Sequence, residues 1–184
     1  ASLQAAAQAA DAGDVIHLSP GLYRGFIVSK DLTITASEAG AIIMGASPAL
    51  TVTAGSVSVN GATFTTATAD PTILITGGSL KMRNCAIDES SGFDQTAISV
   101  TGSGTVDLGT AGDPGGNTIN IVTAGSLISN ATASPISALG NIWKQDGSVL
   151  TSNFTIEDEI FHRLDDATKG LVTYVANNVY VTTS

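Results

Sequence analysis

The chain has 184 residues, of which 43% are hydrophobic but only 5% aromatic and 12% charged, with 20 glycines. That length supports one domain with a core of small aliphatic side chains, and the Ser, Thr, Asn and Gly of the surface suit stacked strands and tight turns better than packed helices. A formal net charge of −9, from 16 acidic against 7 basic residues, argues against nucleic acid or an anionic membrane as partner, since both need Lys/Arg clusters.

No apolar run approaches the roughly 18 residues of a membrane span, so membrane insertion is not expected. The single Cys85 allows no internal disulfide. With no signal peptide and no initiating Met, Ala1 is expected to mark a processed or excised boundary.

The chain opens with SLQAAAQAADAGD (2–14), which predicts a short helix with Leu3, Ala6, Ala7 and Ala10 on one face and Gly13 as its stop. The strand VIHLS (15–19) and the turn PGLY (20–23) follow. A motif of two strand-like triplets around a small-residue turn then recurs. Its copies are FIVSKDLTIT (26–35), LTVTAGSVSVN (50–60), ILITGGSLKMR (73–83), ISVTGSGTVDLG (98–109) and INIVTAGSLISN (119–130), starting 24, 23, 25 and 21 positions apart. Within each copy apolar and polar residues alternate, the period of a strand with one buried face. A third apolar patch follows in most copies: AIIMG (41–45), GATFTT (61–66), NCAID (84–88) and GNIW (140–143).

Three short strands per repeat of about 23 residues describe a parallel β-solenoid whose strands stack at about 4.8 Å. Hairpins would also accept the AG, GG and GS turns, but the copies match in the same direction, which favours parallel stacking. Three inward ladders are expected: Leu50–Ile73–Ile98–Ile119, Val52–Ile75–Val100–Ile121 and Leu32–Val57–Leu80–Val106–Leu127. Outward ladders are expected along Thr53–Thr76–Thr101 and Thr33–Ser58–Lys81–Asp107. The loops DESSGFDQ (88–95) and AGDPGGN (111–117) vary most, and variable loops are where binding is usually elaborated.

In the tail, FTIEDEIFHRLDD (154–166) carries Ile156, Ile160, Phe161 and Leu164 at helical spacing, with Thr155 as N-cap and Gly170 as C-terminal stop. LVTYVANNVYVTTS (171–184) alternates across Asn-Asn and predicts a hairpin. The expected division is therefore 1–152, a parallel β-helix with its N-terminal capping helix, and 153–184, a closing cap or junction.

The opening ADAGD, then VIHLSPGLY, then a strand and LTI, resembles the start of right-handed parallel β-helix proteins of the pectin-lyase-like superfamily. Together with the repeats the resemblance spans about residues 2 to 150. It implies an all-β, right-handed parallel β-helix (solenoid) of about five to six coils, capped by a helix at the start and a helix plus β-hairpin at the end. The segment IEDEIFHRLDD, then GLV and NVYVT, resembles one that closes β-helix blocks in very large bacterial secreted and surface proteins. It implies one module of a longer, tandem chain.

Chemistry is sparser. Lyases of the resembled superfamily use a basic proton abstractor with calcium-binding acids nearby, and hydrolases use paired carboxylates. Lys81 and Arg83, expected to face outward on one strand, with Asp107 beside Lys81 and Asp88 in the loop beyond, form the one place where charges converge. They are the candidates for a lyase-like or glycan-binding site, set against a plain cross-strand ion pair. The family's NxD, DD, HG and RxK hydrolase pattern is absent from the sequence. Asp88, Glu89, Asp94 and Asp113 are the candidates for calcium, although neither loop has the ligand spacing of a known calcium loop.

His17 alternates between Ile16 and Leu18 and is expected to point outward. His162 has Asp158, Asp165 and Asp166 a helical turn away, a spacing open to a metal or to ordinary charge pairing. Cys85 is expected to be a small core residue, and Trp143 and the tyrosines to cover the ends. Outward Thr-x-Thr pairs at Thr33/Thr35 and Thr51/Thr53 raise ice binding, but Leu74 and Asn120 interrupt the array.

These features lead to the expectation of a non-catalytic structural or adhesion-type module of a secreted, extracellular or cell-surface protein. Its expected partners are neighbouring β-helix modules or its own copies, with head-to-tail stacking, and glycans are an open possibility. The alternative is a polysaccharide-binding or lyase-like enzyme working on the solenoid face. No cofactor is implied beyond the calcium option.

Overall fold

The computed structural model describes residues 2–45, 48–89 and 92–176. After α1 (Leu3–Ala9) the chain passes repeatedly through three short strands, one for each of three sheets. The first two rounds are β1 (Val15–Leu18), β2 (Gly21–Arg24), β3 (Phe26–Val28), then β4 (Leu32–Ala36), β5 (Ala41–Gly45), β6 (Leu50–Val52). They are followed by β7 (Ser56–Asn60), β8 (Thr63–Thr66), β9 (Ile73–Ile75), and by β10 (Ser79–Arg83), β11 (Ala86–Asp88), β12 (Thr96–Val100). Next come β13 (Thr105–Gly109), β14 (Thr118–Ile121), β15 (Ser126–Asn130), then β16 (Ile136–Ala138), β17 (Ile142–Gln145) and β18 (Ser148–Val149). The tail holds α2 (Asn153–Asp158), β19 (Ile160–Phe161) and β20 (Val172–Thr173).

The first sheet runs β1-β4-β7-β10-β13-β16-β20, the second β2-β5-β8-β11-β14-β17-β18, and the third β3-β6-β9-β12-β15-β19. Every described pairing is parallel except the β17–β18 hairpin. The fold is thus mostly β with three long parallel sheets, compatible with a β-helix.

Strand alternation builds the core. Leu32, Val57, Leu80 and Val106 are successive neighbours in the first sheet, as expected. Phe26–Leu50–Ile73–Ile98 and Val28–Val52–Ile75–Val100 do the same in the third. All of these side chains are buried, and so is Cys85. The outward row Thr33–Ser58–Lys81–Asp107 is also present in register.

The last expected copy is out of phase. Ile119 and Ile121 belong to the second sheet, where Ile119 stacks between Ile87 and Trp143. The third-sheet ladder instead continues from Ile98 to Ile128. Leu127 therefore does not extend the first-sheet ladder; that sheet passes from β13 to β16, where Asp107 of the outward row pairs with Ser137. The physical reason is the long corner between β13 and β14. It lengthens one turn of the repeat, and small-residue turns look alike at every corner.

The start of the chain follows the expected helical spacing and the tail does not. Leu3 and Ala7 of α1 are buried in the common core. The Gln4 side-chain amide pairs with the edge strand β3, accepting from Ile27 N–H at 2.8 Å and donating to its carbonyl at 3.2 Å. In the tail the expected helix over 154–166 stops at Asp158, and its N-cap is Ser152 rather than Thr155. Ile160 and Phe161 leave the helix to pair with β15, because an open sheet edge offers backbone partners that outweigh a weak local helix preference.

Gly170 caps no helix; it lies where a Cβ would overlap the Ser134 carbonyl, and its N–H donates to Thr132 O at 2.8 Å. Val172 joins the first sheet beside Ile136. The expected second hairpin strand lies outside the described residues.

Candidate functional site

The charge cluster grows from β10 and β13. Lys81 and Arg83 share a strand face by alternation, and Asp107 lies beside Lys81 in register. A bulge between Asp107 and Gly109 ends the regular pairing, and Gly109 N–H donates to Asp107 Oδ1 at 2.8 Å. The corner 110–117 then turns back, held by Thr110 N–H on Asp113 O at 2.9 Å and Asp113 N–H on Thr110 Oγ1 at 3.2 Å. This brings Asp113 onto the two cations.

Lys81 Nζ lies 2.8 Å from Asp113 Oδ2. Arg83 Nη2 donates to Asp107 Oδ2 at 2.8 Å and to Asp113 Oδ2 at 2.9 Å. Its Nη1 donates to the carbonyls of Met82 and Asp107 at 2.8 and 3.1 Å. Lys81 is exposed as expected, but Arg83 is only 8% exposed, which corrects its expected outward reach. Its guanidinium lies down against the two acids instead of reaching into solvent.

The electrostatics favour charge on every member whose titration is displaced. Burial works against the Arg83 cation, but hydrogen bonds and attraction from Asp113 and Asp107 outweigh it and raise its pKa. Hydrogen bonds from Arg83 and then Lys81 pull Asp113 down to about 2. A general base must accept a proton near working pH; Asp113 is held far from that condition.

The other candidates lie elsewhere. Asp88 is on the second sheet, accepting from Asn120 Nδ2 at 2.9 Å. It lines a shallow depression of about 340 Å³ with Thr63, Thr118, Asn120 and Lys144. Asp94 is exposed on its loop. Glu89 points inward and is 1% exposed; the Thr72 hydroxyl donates to its Oε1, while Oε2 has no partner among the described residues. Burial pushes this carboxyl up to about 7.

The calcium candidates Asp88, Glu89, Asp94 and Asp113 thus have separate surroundings. Among the described residues no group of three or more His, Cys, Asp or Glu side chains is placed to hold a metal ion. The inward position of Glu89 was readable in the alternation Ile87 in, Asp88 out, Glu89 in, a sign the loop reading missed.

His17 is exposed, and Tyr23 packs partly against the core with its hydroxyl donating to Ser19 O at 2.8 Å. His162 corrects its expectation: it is fully buried, and its Nε2 lies 2.6 Å from Glu157 Oε1 rather than beside Asp158 or Asp166. Asp165 is engaged by the His162 backbone N–H, at 2.9 Å.

Sequence reading also passed over an asparagine clasp between the first and second sheets. Asn117 Oδ1 accepts from Cys85 N–H at 3.0 Å, and its Nδ2 donates to Met82 O at 3.2 Å and Asn141 Oδ1 at 2.9 Å. Asn141 in turn donates to Leu108 O and Ala138 O at 2.9 and 2.8 Å. Comparison with protein-family models, with curated proteins and with solved structures finds no match.

Proposed function

We propose that this chain is a non-catalytic structural or adhesion-type module of a secreted or cell-surface protein. We read its fold as a right-handed parallel β-helix of five to six coils, like the pectin-lyase-like proteins its opening resembles. In this reading α1 is the N-terminal cap, and the segment from residue 153 is the closing cap or the junction to a neighbouring module or second copy.

One observation carries the reading. The cations and acids that converge outside the core, Lys81, Arg83, Asp107 and Asp113, are spent on one another. The cluster pins the 110–117 corner to the sheet and keeps its arginine and Asp113 ionised, which suits a brace and not a proton shuttle.

The test is incubation with a panel of uronic-acid and neutral polysaccharides, with and without calcium, followed by ultraviolet absorbance and reducing-end assays. No turnover is expected. Turnover that disappears in Lys81→Ala would overturn the reading. Light scattering over a concentration series tests stacking, and a strictly concentration-independent monomer would count against it.

A second reading, glycan binding without turnover, is favoured by the depression holding Asp88, Asn120 and Lys144 on the second sheet. A glycan array decides it. A hit lost in Lys144→Ala supports binding there, and an array without hits removes it.

A further inference from the structure

Packing fixes the identity of Gly61. It follows β7 with φ +78°, and a Cβ there would lie 2.4 Å from the Ala36 carbonyl oxygen, so neither the backbone conformation nor the space admits a side chain. The residue before it is Asn60, and this is the one Asn-Gly pair in the sequence. Asparagine is a thermolabile residue, and a following glycine, with no side chain to stand in the way, leaves its amide carbon open to the next backbone nitrogen. The corner between the first and second sheets thus demands a pair that is chemically unstable in an unconstrained chain.

The fold holds the reacting atoms apart from that path. Asn60 ends β7 as a strand residue, aligned with Thr35 of β4 on one side and Arg83 of β10 on the other. The Gly61 N–H donates to Arg83 O at 3.1 Å. Asn60 Oδ1 accepts from Asn84 Nδ2 at 3.1 Å, and Asn84 is itself held at φ +53°. Both asparagines are exposed, so it is hydrogen bonding, and not exclusion of water, that restrains the amide.

We propose that Asn60–Gly61 is a site of spontaneous deamidation that the pairing of β7 with β10 holds shut. When the corner opens, the Gly61 nitrogen loses its proton to solvent and bonds to Asn60 Cγ. The bond from Cγ to the side-chain nitrogen breaks, and ammonia leaves. Water then adds to one carbonyl of the resulting succinimide. Addition at Cγ gives aspartate; addition at the main-chain carbonyl gives isoaspartate. The sum is asparagine plus water to acid plus ammonia, with no change of oxidation state.

The two products differ in what they can rebuild. Aspartate keeps the backbone and an acceptor for Asn84. Isoaspartate runs the main chain through Cβ, one atom longer, so Gly61 cannot keep both its bond to Arg83 O and its seat on the Ala36 carbonyl. Each opening that ends in isoaspartate therefore removes a chain from the folded pool.

The experiment follows the whole chain, folded and in guanidinium chloride, at one neutral pH and temperature, beside a synthetic peptide of residues 56–64 in both solvents. Digestion with pepsin in acid and mass spectrometry read the amide-to-acid gain at Asn60, and electron-transfer fragmentation separates the two products. The denatured chain should convert at the peptide's rate and the folded chain at least about tenfold more slowly, because reaction waits on local opening. Asn84→Gly, which suits a positive φ and removes the bond to Asn60, should quicken conversion in the folded state. After return to native conditions, size exclusion should find isoaspartate enriched among misfolded chains and aspartate among folded ones. A folded chain that converts as fast as the peptide overturns the lock, and a peptide that does not convert overturns the lability. An unchanged folded rate in Asn84→Gly overturns the part given to Asn84, and equal shares of isoaspartate in both pools overturn the loss from the folded state. Wild-type chain and peptide decide the central point even if the variant does not fold.

Discussion

Glu89→Gln tests the link between an interior carboxyl and stability. Glu89 sits against the Thr72 hydroxyl with no described cation beside it, and its second oxygen has no described partner. The charged form therefore lacks what it would need, and the carboxyl titrates at about 7 against the ordinary 4.5. Because the folded value lies above the unfolded one, the native state binds more protons between the two. Stability from this residue is full below about pH 4.5, declines from there, and is lost as pH passes 7. At 1.36 kcal/mol for each pH unit of separation, the full span is about 3 kcal/mol.

Glutamine keeps the shape and the acceptor for Thr72 but cannot ionise, so its contribution is flat. Urea unfolding followed by circular dichroism, run on both proteins from pH 4 to 8.5, gives the difference directly, with the other ionisable groups cancelling. The variant should gain about 3 kcal/mol relative to the parent across that span. A difference that stays constant with pH would refute the reasoning, because it would mean that Glu89 is solvated in the folded chain.

Three further substitutions probe the brace, the clasp and the closing segment. Arg83→Met removes the cation shared by Asp107 and Asp113; because both acids keep access to water, a loss of only about 1–2 kcal/mol is expected in chemical denaturation. Asn117→Ala strips partners from Cys85 N–H and Met82 O inside the stack, and a loss of about 2–3 kcal/mol is expected in the same assay. Gly170→Ala places a Cβ on the Ser134 carbonyl and should lower stability by about 1–3 kcal/mol, with exchange quickening first around Thr132 and Gly170.

Much of the fold was legible because strand alternation writes burial directly into the order of residues. Leu32, Val57, Leu80 and Val106 could be aligned before any coordinates, since an in-register parallel stack places like with like. The phase of Ile119 could not be read this way. Its neighbourhood looks like any other triplet, and only the path of the 110–117 corner sends it to the second sheet.

The candidate site was half legible for a related reason. Lys81 and Asp107 share a row that periodicity reveals, whereas Asp113 reaches Lys81 and Arg83 through a loop whose course no period describes. Asp88, close to them in sequence, went to another sheet because a single corner separates β10 from β11.

By itself, the order of residues determined that this chain stacks short strands in parallel around an aliphatic core with a small helix at its start. Those properties depend on local alternation and on recurrence, which a linear string preserves. The tertiary structure alone decided that Arg83 is folded against two acids, that Glu89 is sealed in the interior, and that His162 joins α2 to β20. Each of those outcomes depends on which distant backbone or carboxylate arrives within about 3 Å, and that distance is set by how corners route the chain, not by the residues flanking each side chain.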